Sequence, residues 1–157
     1  MKHRAQTMKN KQKHKKQIRE HNTSIKKHGL KDNFKKNLVE TFIGMLNTVK
    51  LFHWKTYAYS THESLDVLYK ELNEYIDEFM ETLLGKDESR IPNFKKNIEL
   101  FNDSSENLFK EKIYNYRDYL MEMDRVLDKK YHSDLLNIRD EILGTINRFL
   151  YLMTLSI

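Results

Sequence analysis

The chain has 157 residues, 39% hydrophobic and 32% charged, enough for one domain with a sizeable apolar core. Four glycines, one proline and no alternating β-branched run exclude a sheet protein, and zero cysteine excludes disulfides and thiolate ligation. The net charge of +5 hides a division: residues 1–30 carry ten Lys or Arg against Glu20 alone, while the other 127 residues carry 18 basic and 22 acidic side chains. A basic arm precedes an acidic body.

The arm, residues 1–30, holds Lys2, Arg4, Lys9, Lys11, Lys13, Lys15, Lys16, Arg19, Lys26 and Lys27. Its few apolar side chains cannot offset the cost of ordering, so it is expected to be a disordered tail ahead of a folded domain over residues 31–157. It is polar from the start, with no apolar leader of the secretory kind. It has no aromatic residue with which to stack on bases, but ten cations suit phosphate neutralisation, which predicts DNA binding without sequence preference and with steep salt dependence. An anchor for an acidic protein or membrane surface, or a solubilising leader, remains open. The seven-residue spacing of His14, His21 and His28 is read as chance.

Phe34, Leu38, Phe42, Leu46, Val49 and Phe52 recur at helical spacing and predict a first helix over about residues 32–54, ending at His53 and Trp54. After a link over residues 55–60, Ser60 and Glu63 form a capping-box signal for a second helix, which runs to Gly85 as a left-handed C-terminal cap. Its core stripe is Leu65, Leu68, Leu72, Ile76, Phe79 and Leu83. Roughly 130° from that stripe lie His62, Asp66, Asp77 and Glu81, on a half-apolar flank with Tyr69, Asn73, Met80 and Leu84. A further stripe, Glu71, Glu74, Glu78 and Glu81, reads either as a solvated face or as a cation-gathering wall.

The four ligand candidates are spaced symmetrically about Glu71 and Leu72, so an antiparallel copy of the helix sets His62 against Glu81 and Asp66 against Asp77. One helix cannot gather all four, because Asp66 and Asp77 are about 16 Å apart at roughly 1.5 Å per residue. A two-fold dimer through this helix can, giving two shared sites per interface. The competing reading is a solvated polar face. With no thiolate, His and carboxylates are left to hold a metal such as iron, manganese or zinc.

A connection over residues 86–103 contains Pro92 and a candidate short helix over residues 93–101; its length predicts a crossover instead of a tight turn. Asp103 with Glu106 opens a third helix, whose stripe is Phe109, Ile113, Tyr116, Leu120, Met123 and Leu127. Ser133 caps a fourth, with stripe Leu135, Ile138, Ile142, Ile146, Phe149 and Met153. Residues 149–157, the longest apolar run, fall short of a membrane span. The fold class is therefore all-α, four helices around one core.

Through His53-Trp54, His62-Glu63-x2-Asp66 and Asp77-x3-Glu81, the chain resembles the Dps miniferritins of the ferritin-like superfamily, DNA-binding proteins from starved cells. The resemblance covers the first two helices by motif and the last two by length and periodicity. It implies a ferritin-like four-helix bundle and an iron site at a two-fold interface, with His53, His62 and Asp66 from one subunit and Asp77 and Glu81 from its neighbour. Trp54 matches a catalytic-site tryptophan beside that iron. The step from His53 to His62 is shorter than is usual there and lacks the loop's glycine. The chain is also similar to a ferritin-like group of tailed phages and large DNA viruses, through His53-Trp54-Lys55-Thr56, Tyr59, His62, Asp77-Glu78-Phe79-Met80-Glu81 and Gly85-Lys86.

What the resemblance implies is Fe(II) oxidation by peroxide or dioxygen, in a homo-oligomer built from dimers into a cage, cytoplasmic or nucleoid-associated or within a virion. The rival expectation is a non-enzymatic DNA-binding or virion structural protein on the same scaffold. No Glu-x-x-His, His-Glu-x-x-His, P-loop or glycine-rich dinucleotide turn occurs, so the familiar motifs for an intra-bundle di-iron site, a zinc protease or a nucleotide site are missing.

Overall fold

The computed structural model describes residues 9–20, 23 and 29–155, with helices and no strand among them. The chain divides into two compact units, Met1–Lys31 and Asp32–Ile157. In the first, residues 9–20 form helix α1, exposed along its length, where the composition predicts disorder. Lys, Gln and Arg are good helix formers, and the Lys16–Glu20 pair at i,i+4 adds to them. Lys2, Arg4, Lys26 and Lys27 lie outside the described residues.

The second unit is a helical bundle of α2 (Asp32–Lys55), α3 (Tyr59–Lys86), α4 (Glu106–Glu122) and α5 (Ser133–Met153), with a 3-10 turn at Met123–Arg125. The predicted stripe residues are buried, except that Phe34 and Leu46 are half-buried, and Met45, Leu136 and Leu150 join them in the core. Helix α2 packs on α3 and α4, and α5 packs on the same two. Phe42 meets Phe79 edge-on at 5.5 Å, Phe52 stacks on Phe109 at 4.0 Å, and Phe109 meets Phe149 edge-on at 6.0 Å. Each such buried phenylalanine is worth about 1.5–3 kcal/mol of transfer free energy. No helix among the described residues is long and apolar enough to cross a membrane.

Pairs along the helices give their directions. Lys35 bonds Asp87 and Ser89 at one end of α2 while His53 meets Asp66 at the other, so α2 and α3 are antiparallel. Phe52 with Phe109 and Thr48 with Tyr116 make α2 and α4 antiparallel; Glu71 with Thr145 and Lys86 with Asp134 do the same for α3 and α5. Residues 87–105 then follow α2: Ser89 lies at Lys35, Lys96 pairs with Glu40, and Asn102 takes a hydrogen bond from Lys55.

This path explains why the short helix expected over residues 93–101 does not form. Glu40 to Lys55 spans about 22 Å of helix; from Lys96 to Asn102 a chain helical to residue 101 would cover about 11 Å, whereas extended chain covers about 20 Å.

Four predicted caps also move. Helix α3 begins one residue before Ser60, with Ala58 at its N-cap; alanine offers no side-chain acceptor, so the first turn has no side-chain cap, and the Ala58 N–H itself is taken by Thr56 Oγ1. Gly85 stays helical, and the left-handed residue is Glu88 (φ 49°), flanked by Glu88 N–H to Gly85 O at 3.2 Å and Ser89 N–H to Leu84 O at 3.0 Å. Helix α4 is capped by Ser105, whose own N–H is held by Asp103 Oδ1 at 2.6 Å; His132 sits at the N-cap of α5, with Ser133 inside the helix.

Candidate metal centre

Residues 56–58 reverse the chain between α2 and α3, the Thr56 N–H closing on Phe52 O at 3.0 Å. This short turn brings His53, in the last turn of α2, against His62 and Asp66, one turn apart at the start of α3. The two imidazoles stack with centroids 3.9 Å apart and planes inclined by 29°. One ligand atom from each of His53, His62 and Asp66 lies within 4.8 Å of the others.

His62 Nδ1 is 3.3 Å from the His53 carbonyl. An N–H there donates to that oxygen and leaves the Nε2 lone pair free, as a metal-binding histidine requires. His62 Nε2 lies 4.0 Å from Asp66 Oδ2. His53 is only 7% exposed, and its Nε2 is 3.0 Å from Asp66 Oδ1 but off the direction a ring hydrogen bond needs, so neither ring nitrogen has a hydrogen-bond partner. Buried polar atoms left this way are rare, because each forfeits about 1–3 kcal/mol of solvation. A cation accepting the Nε2 lone pair removes part of that penalty. Two imidazoles and a carboxylate form a donor set suited to Fe(II), Mn(II) or Zn(II), so these residues fit a divalent metal.

Of the five predicted ligands, one chain gathers these three. Asp77 and Glu81 lie further along α3, exposed, with Asp77 about 16 Å from Asp66 along the axis. Trp54 is beside His53 in sequence but 68% exposed. Lys50, which sequence reasoning passed over, places its ammonium 5.7 Å from the Trp54 ring and 4.8 Å from that of Tyr69, tying α2 to α3 beside the cluster. The i,i+4 step from Lys50 to Trp54 was the available signal. Among the predicted DNA-contacting residues, Lys9, Lys11, Lys13, Lys15, Lys16 and Arg19 stand exposed on α1.

No curated protein and no solved structure matches the chain. A family model does, over residues 53–153, a span that begins at His53 and takes in all of α3, α4 and α5. The chain belongs to that family, a family of unknown function (DUF5856).

Proposed function

We propose that this protein binds Fe(II) at His53, His62 and Asp66 and oxidises it, in the manner of a Dps-like miniferritin. The observation that carries the reading is the convergence of these three donors, with neither nitrogen of buried His53 making a hydrogen bond. Imidazole favours Fe(II) and carboxylate suits both oxidation states, so the mixed set allows iron to enter reduced and leave oxidised. Peroxide or dioxygen is the electron acceptor in this reading, and the oxidised iron collects on carboxylates such as Glu74 and Glu78. Asp77 and Glu81 complete the site from a second copy, as the symmetric spacing about Glu71 and Leu72 allows, and Trp54 flanks it. Such dimers would build a cage. The path of residues 87–105 along α2 supports a ferritin-like crossover, since α3 and α4 run the same way.

The basic arm adds DNA binding through phosphates. The exposed, cation-rich α1 also supports a second reading, a non-enzymatic DNA-binding or virion structural protein; metal assays separate the two. Anaerobic Fe(II) titration tests the first. Asp66→Ala and Asp77→Ala should each abolish binding, while a heterodimer of the two variants puts both lesions at one site and should recover about one site per dimer. Fe(II) stoichiometry equal to wild type in Asp66→Ala would refute the metal site; loss in Asp66→Ala with full binding in Asp77→Ala would refute sharing.

A further inference from the structure

Helix α1 is an ordered helix, and its cations are not spread evenly around it. Counting about 100° per residue, Lys9, Lys11, Lys13, Lys15, Lys16 and Arg19 occupy an arc of roughly 200°. The remaining face is uncharged and carries Asn10, His14, Gln17 and Ile18, at i, i+4, i+7 and i+8. Lys13 and Lys9 border that face on one side, Lys11 and Lys15 on the other. All four residues of the face are exposed, Ile18 to 46%. Among the described residues, Lys16 is the one of the six cations paired with a carboxylate, Glu20 at 3.8 Å.

We infer that α1 is a reading helix for the major groove of B-form DNA, with Asn10, His14 and Gln17 towards the base edges and the bordering lysines on the two phosphate backbones. This rests on the DNA-binding half of the proposed function and adds to it a groove, an orientation and a base preference. An α-helix with its side chains is about 10–12 Å across and the B-DNA major groove about 12 Å wide, so α1 fits with its lysines at both walls. Phosphate attraction alone does not require a face free of charge. Base reading gives such a face a use, because Asn and Gln pair with the N6 and N7 edge of adenine. Asn10 and Gln17 are two turns apart, about 10 Å, which along the inclined groove is about two to three base-pair steps. The partner is therefore duplex DNA containing adenines at that interval. Double-stranded RNA is disfavoured, because its major groove is too narrow for a helix.

The test is fluorescence anisotropy on the full-length protein at fixed salt, with three duplexes of equal length: adenine-containing DNA, G·C-only DNA and double-stranded RNA. Wild type should favour the adenine-containing DNA over the G·C duplex by about fivefold or more, and over RNA by a larger factor. Asn10→Ala with Gln17→Ala keeps a good helix former at each site and should erase the base preference while leaving the salt slope unchanged. Lys11→Gln with Lys15→Gln should weaken binding to all DNA alike and lower the slope by about one per lysine removed. Equal binding of RNA and DNA, or a wild-type preference that survives loss of Asn10 and Gln17, would overturn the groove-reading role. DNA binding with no base preference in wild type would overturn it too while leaving the phosphate-binding reading intact. Failure of wild type to bind any duplex at low salt would overturn both.

Discussion

Replacing His53 with leucine should make the metal-free protein more stable and the metal-loaded protein less so, reversing the order of the two melting temperatures. Without metal, the imidazole buries two nitrogens that lack hydrogen-bond partners, at a cost of about 1–3 kcal/mol. Leucine removes that cost at similar volume, and the Asp66 side chain, 53% exposed, exchanges its His53 contact for water. A gain of about 1–2 kcal/mol corresponds to about 3–6 °C for a domain of this size. Metal acts in the opposite sense. At a free concentration about a hundredfold above Kd, Fe(II) should stabilise wild type by about 2.7 kcal/mol, or about 8 °C, and leave the leucine variant unmoved. Differential scanning fluorimetry under anaerobic conditions reads both effects. A leucine variant that is less stable without metal and still gains as much from Fe(II) as wild type would show that His53 is an ordinary core residue.

Three further outcomes test the frame that holds the site. Lys35 and Asp87 form an ion pair at 2.7 Å with side chains only 5% and 7% exposed, so Lys35→Met should cost roughly 3–5 kcal/mol in urea unfolding and Lys35→Met with Asp87→Leu should recover most of it; additive losses would contradict a coupled pair. Glu88→Gly should raise stability by about 0.5–1 kcal/mol by relieving the left-handed conformation, and an unchanged unfolding midpoint would mean that no strain is stored there. The hydrogen bond from Arg139 holds the Asp124 carboxyl below its usual range. Its stabilisation is full above the unfolded value of about 3.9 and is lost as pH falls through the lower folded value, so Asp124→Asn should flatten the acid limb of the stability profile below about pH 4; an unchanged limb would rule the contact out as an acid-sensitive element.

The helices were legible because burial on one face imposes a 3.6-residue period, and every stripe position but Phe34 and Leu46 is buried. Their ends were not, because a cap depends on which hydroxyl reaches which N–H. Ser60 and Ser133 have the right chemistry but lie inside helices whose starts are set by the preceding turns. Gly85 misled for a related reason: the turn closes where Lys35 can reach Asp87 and Ser89, which puts the left-handed residue at Glu88. The short helix over residues 93–101 failed on end-to-end distance, a tertiary quantity that no local pattern carries. In the site, His62 and Asp66 were readable from helical spacing. His53 joins them only because three residues suffice to reverse the chain, and Lys50 went unseen because its contact with Tyr69 crosses between helices.

The missing side-chain cap at Ala58 has a kinetic consequence. The first turn of α3 rests on backbone bonds such as His62 N–H to Ala58 O, next to the fully exposed Tyr57 and the largely exposed Tyr59, whereas a Ser, Thr, Asp or Asn cap would add about 1 kcal/mol. Although Thr61 in this turn is buried, the turn should open at a free energy below the cost of global unfolding. Fraying by that one turn carries His62 away from His53, which is held in α2, and dismantles the cluster while the aromatic core stays shut. Exchange at the centre is then set by a local, fast opening, and the amides of residues 59–63 should be among the first in α3 to exchange with deuterium and the most strongly slowed when an ion spans the two helices.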